Sequence, residues 1–341
     1  MDDAAQPTVS LAELLARHLR VNILAKPTEA RYDLVTRNLA RFLGGPTAQA
    51  SDVYLNQITV DVMLDFRAWS LKRMKPVSFN TERRHLSVLF NTAVREGLMP
   101  ANPLRRVSNA PVLREAPKAL SKDNMDAYLE WLLTATRNNR HGQAVDVIQP
   151  QWFWYTVLRT FYFTGMRKRQ LIGLVWSDID FAGRSIHLSA ESSKTRRGWK
   201  VPLPEPLVND LLDLRRRTLE VCREHLGPRQ VFCLPLFSER RSSFRHDAMR
   251  PDNLDHFFQR LRRAVPVGTP MLSAHRIRHT TSTILANNVA NLKVVQEQLG
   301  HTSISTTYMY VHPNLDTMRR ALKALECEKV AKFDPRETPP V

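Results

Sequence analysis

The stretch "VVQEQLGHTSISTTYMYVH" (294–312) carries an apolar pattern that stops at Gly300, a Gly-His pair, a serine- and threonine-rich run, and two tyrosines, Tyr308 and Tyr310. The glycine reads as the left-handed residue that closes a helix, with His301 just beyond it. Both tyrosines fall on the short helix expected next, two residues and so about 200° apart around its axis. They cannot share a face, so the two have different surroundings. A histidine at a helix end is commonly a hydrogen-bonded cap, and by itself this stretch carries no function.

Three upstream stretches add candidates. In "SAHRIRHTTSTILANN" (273–288), His275 and Arg278 lie three apart on one face of an expected helix. The segments "RSIHLSA" and "WKVPLP" flank the polar turn "ESSKTRRG" and predict a β-hairpin with Lys194 near its tip. In "TGMRKRQLIGLVWSDIDF" (164–181), Arg167 follows Thr-Gly at the start of another apolar pattern. Each stretch has a bland reading: His275 as a capped helix start, the basic residues as a solvated surface.

The rest of the chain supplies the scaffold. Ser10 and Glu13 form an S-x-x-E capping box that predicts a helix from Leu11, ended by Pro27. Runs 29–43, 60–74 (after Thr59 as N-cap) and 81–96 give three more amphipathic helices. After residue 108, "SNAPVLREAPKALS" has prolines and no apolar period, which predicts an extended linker over 109–118. The expected domains are therefore 1–108 and 119–341. In the second, Ser121 opens a helix, and "WFWYTVLRTFYF" (152–163), apolar on nearly all sides, reads as its buried centre. Helical patterns dominate again from Glu205, broken by a loop over 228–251 in which "RRSSFRHDAMR" (240–250) reads as solvated.

With 50 Lys and Arg against 33 Asp and Glu, the 341 residues carry a net charge of +17. Residues 1–117 hold +5 and the remainder +12, so both halves suit a polyanionic partner, nucleic acid before membrane surface. No apolar run approaches 18 residues and no signal peptide or lipidation motif is visible, which predicts a soluble, cytoplasmic protein. Cys222, Cys233 and Cys327 lack the spacing of a disulfide framework or a zinc module.

In the order Arg167, Lys194, His275-x-x-Arg278, Gly300-His301, Tyr310, the four stretches together resemble the tyrosine recombinase and phage integrase family. "NTERRHLSVLFNTAVREGLMPANPLRRV" (80–107) is similar to the end of that family's core-binding domain, and the likeness runs over roughly residues 10 to 325. The resemblance implies a mainly α fold with a small β-hairpin or sheet in the catalytic domain, and two domains that form a C-shaped clamp on duplex DNA. It implies six catalytic residues: Arg167, Lys194, His275, Arg278, His301 and the nucleophile Tyr310, nine residues after His301.

The chemistry suits these residue types. A tyrosine hydroxyl, pKa about 10, must be oriented and relieved of its proton as it attacks phosphorus. The charge gathering on the non-bridging phosphate oxygens is met by guanidiniums, always cationic and forked, here Arg167 and Arg278. A lysine among cations, Lys194 or alternatively Lys200, can protonate the departing 5′ oxygen, while Arg196 and Arg197 grip phosphates. His279 and Arg276 read as packing and DNA-backbone contacts, and His312 has no role. Gln170 departs from the acidic residue usual at its position, so it can orient a neighbour by hydrogen bonding but cannot balance a buried charge.

The resemblance further implies a 3′-phosphotyrosyl intermediate, strand exchange through a Holliday junction by a homotetramer on two double-stranded DNA recombination sites, and no cofactor, ATP or catalytic metal. It leaves room for an accessory DNA-bending or directionality protein and for nucleoid association in a bacterium or phage. The segment "LDTMRRALKALECEKVAKF" (315–333) is expected either to pack on a neighbouring protomer or to close its own domain. Two alternatives keep the fold and change the function: a type IB topoisomerase-like nicking-closing enzyme, and a non-catalytic DNA-binding regulator.

Overall fold

Ser10 opens the first helix, α1 (Leu11–Val21), through the predicted box: its Oγ accepts the Glu13 N–H at 3.2 Å, and Glu13 Oε2 accepts the Ser10 N–H at 2.8 Å. Such a reciprocal cap is worth about 1 kcal/mol. The computed structural model describes residues 9–113, 119–189, 198–223, 226–237, 248–266, 269–289 and 291–311. Its chain divides into two units, Met1–Glu115 and Ala116–Val341.

In the first unit, Pro27 does not end α1. The helix stops at Val21, where the Asn22 side chain donates to the His18 carbonyl at 2.8 Å. Pro27 instead sits in the first turn of α2 (Lys26–Gly44), where the missing N–H has no helical acceptor to lose. Thr59 caps α3 (Val60–Leu71) by accepting the Val62 N–H at 3.3 Å. α4 (Pro76–Arg95) starts a full turn earlier than its apolar pattern, again on an N-terminal proline. The four helices close on Leu11, Leu14, Leu39, Met63, Phe66, Leu86 and Phe90, all fully buried. Ala110, at the start of the expected linker, is tied to α4 by both arms of the Asn80 amide.

The second unit is built around α6 (Gln151–Thr164), which packs against α5 (Lys122–Thr134), α8 (Glu205–Cys222) and α10 (Ala274–Asn288). Contact on so many sides explains why "WFWYTVLRTFYF" lacks a polar face: Phe153, Trp154, Val157, Leu158 and Phe161 are all in the core. Trp154 stacks on Phe257 of α9 (Pro251–Ala264) with ring centroids 4.1 Å apart. Arg159 pairs with Asp210 at 3.0 Å, tying α6 to α8.

Between α5 and α6 lies an unpredicted hairpin of β1 (Thr136–Asn138) and β2 (Ala144–Asp146). The predicted hairpin is present as β4 (Ser185–Leu188) and β5 (Trp199–Pro202), with Ile186 opposite Val201. A short β3 (Ile179–Asp180) extends it to an antiparallel sheet in the order β3-β4-β5. α7 (Lys168–Gly173), α11 (Leu292–Leu299) and α12 (Ile304–Tyr308) complete the unit. Lys194, Arg196, Arg197, His312, Cys327, residues 240–247 and the whole 315–333 segment lie outside the described residues. Among the described residues no helix is long and apolar enough to cross a membrane.

Candidate active site

Two left-handed glycines set the site's frame. Gly165 (φ 62°) ends α6 and Gly300 (φ 62°) ends α11. Each also permits a close approach: a Cβ at Gly165 would lie 2.7 Å from Leu299 Cδ2, and one at Gly300 would overlap the Trp199 ring. The ends of α6, α11 and β5 converge as a result. Gly165→Ala is expected to lower stability by about 2–4 kcal/mol, from left-handed strain plus overpacking. A denaturant titration reads this directly.

Arg278 occupies the convergence. It is 5% exposed, and its Nη1 donates to the Gly165 carbonyl at 2.6 Å while Nη2 donates to the Leu299 carbonyl at 2.8 Å. Helix C-termini concentrate partial negative charge, so two of them hold this guanidinium through backbone carbonyls. Burial, and then repulsion from Arg167, push its pKa down to about 9, partly opposed by Tyr310. It therefore stays cationic at neutral pH.

Arg167 is the residue before α7, which places it one residue after Met166 and two after Gly165. Its backbone N–H donates to Gln170 Oε1 at 2.7 Å, so the glutamine at the usually acidic position acts as a backbone clamp. Two donors in this corner, Arg167 Nη1 and Gln170 Nε2, are buried without a partner among the described residues. Buried polar atoms are rarely left so, and an arriving anion would satisfy both. Among the described residues no carboxylate forms an ion pair with Arg167 or Arg278. Burial lowers the Arg167 pKa, and Tyr310 partly restores it, so both guanidiniums lie within electrostatic reach of that tyrosine.

His301 directly follows Gly300. Its N–H donates to the Gln296 carbonyl at 2.9 Å, its carbonyl accepts from Gln296 Nε2 at 2.9 Å, and its Nδ1 lies 3.0 Å from Thr307 Oγ1. Burial first, then Arg278 and Arg167, push its pKa down to about 4. Its ring stacks nearly parallel to that of Tyr310, centroids 5.9 Å apart. A histidine held neutral when folded takes up a proton more readily when unfolded, so between about pH 6.5 and 4 the unfolded chain binds more protons. Stability is expected to fall on acidification through that window, with a shallower slope in His301→Gln, measured by chemical denaturation at several pH values.

The tyrosines are not on one helix. α12 ends at Tyr308, which is 60% exposed, and Tyr310 lies in the turn beyond, its N–H bonded to the Thr307 carbonyl at 3.0 Å. The turn folds Tyr310 inward to 4% exposure, between His301 and His279. His275 stands at the start of α10, capped by Ser273; part of its surface is open to solvent, and the partial desolvation of its ring, then Arg278 and Arg167, lower its pKa.

Arg167, His275, Arg278, His301 and Tyr310 are thus brought together, while Lys194 lies outside the described residues. Lys200, the alternative, lines a cavity of about 380 Å³ together with Trp199, Gly300 and His301. The residues not anticipated are Thr307, which orients His301, and His279, whose contacts go beyond packing. The spacing of His279, four after His275 on one helix, was the available signal.

The phage integrase family matches residues 132–316, and its SAM-like domain matches residues 11–109. A putative tyrosine recombinase XerC of Pseudomonas syringae is 27% identical over 317 residues, covering 92% of this chain, which spans 64% of that relative's length. Among solved structures, the Tn1549 transposon integrase in complex with a circular intermediate DNA has a TM-score of 0.70 at 18% identity, covering 93% of this chain and all of that one. A lambda integrase tetramer bound to a Holliday junction has a TM-score of 0.63 at 19% identity, covering 90% of this chain and 78% of that one.

Proposed function

Since this chain belongs to the phage integrase family, we propose that it is a site-specific tyrosine recombinase that cleaves and rejoins duplex DNA. The observation that carries this reading is the pairing of Arg167 and Arg278, neither in an ion pair with a carboxylate among the described residues, with the inward-turned Tyr310. A phosphodiester at this corner meets fixed positive charge and unpaired donors where charge builds during attack.

In the proposed reaction Tyr310 Oη bonds to the scissile phosphorus as the bond to the 5′ oxygen breaks. The tyrosine loses its proton and the departing oxygen gains one, for which Lys194, or Lys200 in its place, is the donor. Arg167 and Arg278 hold the phosphate, with His275 and His301 as further hydrogen-bonding partners. The 3′-phosphotyrosyl linkage keeps the bond energy, and the 5′ hydroxyl of a second duplex reverses the step. The first unit, rich in basic helices, is the core DNA-binding domain, and the second is the catalytic domain. Four protomers on two sites, passing through a Holliday junction, follow from the same reading, as does a location with DNA in the cytoplasm.

The test begins with a random-sequence duplex library. Protein-linked fragments are recovered by denaturing extraction and sequenced to give the cleaved site. Two differently labelled duplexes carrying that site are then incubated with the protein. Recombinant molecules joining both labels are expected. Covalent linkage followed only by resealing of the same strand would instead mark a topoisomerase-like enzyme, and binding without linkage a regulator.

A further inference from the structure

His279 was expected to pack, yet it touches two members of the proposed site. Its Nε2 lies 2.8 Å from His275 Nε2, the rings meeting edge to face at 85°, and its ring centroid is 5.2 Å from that of Tyr310. Its other nitrogen, Nδ1, is buried with no partner among the described residues.

Two ring nitrogens at 2.8 Å need one proton between them, so one supplies an N–H and the other a lone pair. Partial burial lowers the pKa of each imidazole, with Arg278 acting on both, Arg167 on His275, and His275 on His279, which favours the neutral form of both. The direction of the bond follows from the buried Nδ1. A stranded N–H there costs more than a stranded lone pair, because orphaned buried N–H groups are the rarer defect. The His279 proton therefore sits on Nε2 and is donated to His275. His275, whose Nε2 lone pair is then engaged, keeps its own proton on Nδ1.

We propose that His279 is a positioning residue whose Nε2–H locks His275 in the Nδ1–H tautomer and whose ring backs Tyr310, so that both are set before DNA arrives. This rests on the recombinase reading for its consequence in catalysis, but not for its tautomer. Locking matters because a histidine free to exchange tautomers presents its donor in the wrong place part of the time, and small misplacements at a reacting centre cost about 10²-fold.

The test uses the full chain, wild type, His279→Ala and His279→Gln, the glutamine amide placing an N–H close to the position of the lost Nε2–H. Long-range ¹H–¹⁵N correlation spectra of histidine-labelled protein without DNA read the tautomer, with His275→Ala assigning the signal. Single-turnover cleavage of a nicked duplex carrying the recovered site reads the chemistry. Expected are an Nδ1–H His275 in wild type and His279→Gln, a shift toward Nε2–H in His279→Ala, and cleavage slowed about 10- to 100-fold in alanine but largely restored in glutamine. DNA affinity should be unchanged in all three. An Nε2–H His275 in wild type, or alanine and glutamine variants that cleave at the same rate, overturns the proposal. If wild type forms no covalent adduct, the recombinase reading falls and the spectra alone decide the tautomer.

Discussion

A Tyr310→Phe protein is expected to bind its DNA site normally and to form no covalent adduct on a nicked duplex, where wild type accumulates one. The substitution removes a single oxygen. The ring keeps its 4% exposure and its contacts with His279 and His301, and the backbone bond to Thr307 is untouched, so the fold has no reason to change. Binding depends on many phosphate contacts spread over a +17 chain and is insensitive to one neutral hydroxyl. The covalent step depends on that oxygen wholly. Tyr308→Phe is the matched control: 60% exposed on α12, it should leave trapping intact. Adduct formation lost with Tyr308 instead of Tyr310 would reverse the assignment.

The second large effect belongs to Arg278→Lys. Charge is conserved, but one ammonium cannot reproduce a planar fork that reaches the Gly165 and Leu299 carbonyls and still offers donors to phosphate. Single-turnover cleavage is expected to fall about 10²–10³-fold, equivalent to roughly 2.7–4 kcal/mol of transition-state stabilisation. A filter-binding titration should show a much smaller loss. Equal losses in rate and affinity would reduce Arg278 to a phosphate grip. Thermal melting should also register the change, because a buried carbonyl left unpaired costs about 1–3 kcal/mol.

How far the sequence exposes this architecture depends on whether the deciding contact is local. The caps by Ser10, Thr59 and Ser121 were legible because donor and acceptor lie within three residues of each other. The β4–β5 hairpin was legible from a polar turn between β-like segments. The β1–β2 pair was not: its three-residue strands are largely exposed and carry no alternation. Pro27 misled because a proline can close one helix or begin the next, and only the packing of α2 decides between them.

At the site, residue order named Arg167, His275, Arg278, His301 and Tyr310, which the fold gathers, but not how they are held, and Lys194 lies outside the described residues. Arg278 is anchored 113 and 21 residues away, on backbone atoms that no motif encodes. Tyr310 was placed on a helix because the helical pattern runs through it, whereas the chain leaves the helix after Tyr308, and that turn moves the residue from surface to interior. Gln170 was anticipated as an orienting hydrogen-bonder, and the acceptor it supplies to the Arg167 backbone is of that kind.

The anchoring of Arg278 bears on how such a site tolerates divergence. Its two acceptors are main-chain oxygens, which every residue type supplies, so substitution cannot delete them. What must be kept at residue 165 is a left-handed backbone angle and the space a Cβ would take from Leu299, and at residue 299 the end of a helix. The aim of the guanidinium is thereby uncoupled from most of the side chains around it. The surrounding sequence can drift far, while the charge that meets the phosphate stays where two helices finish.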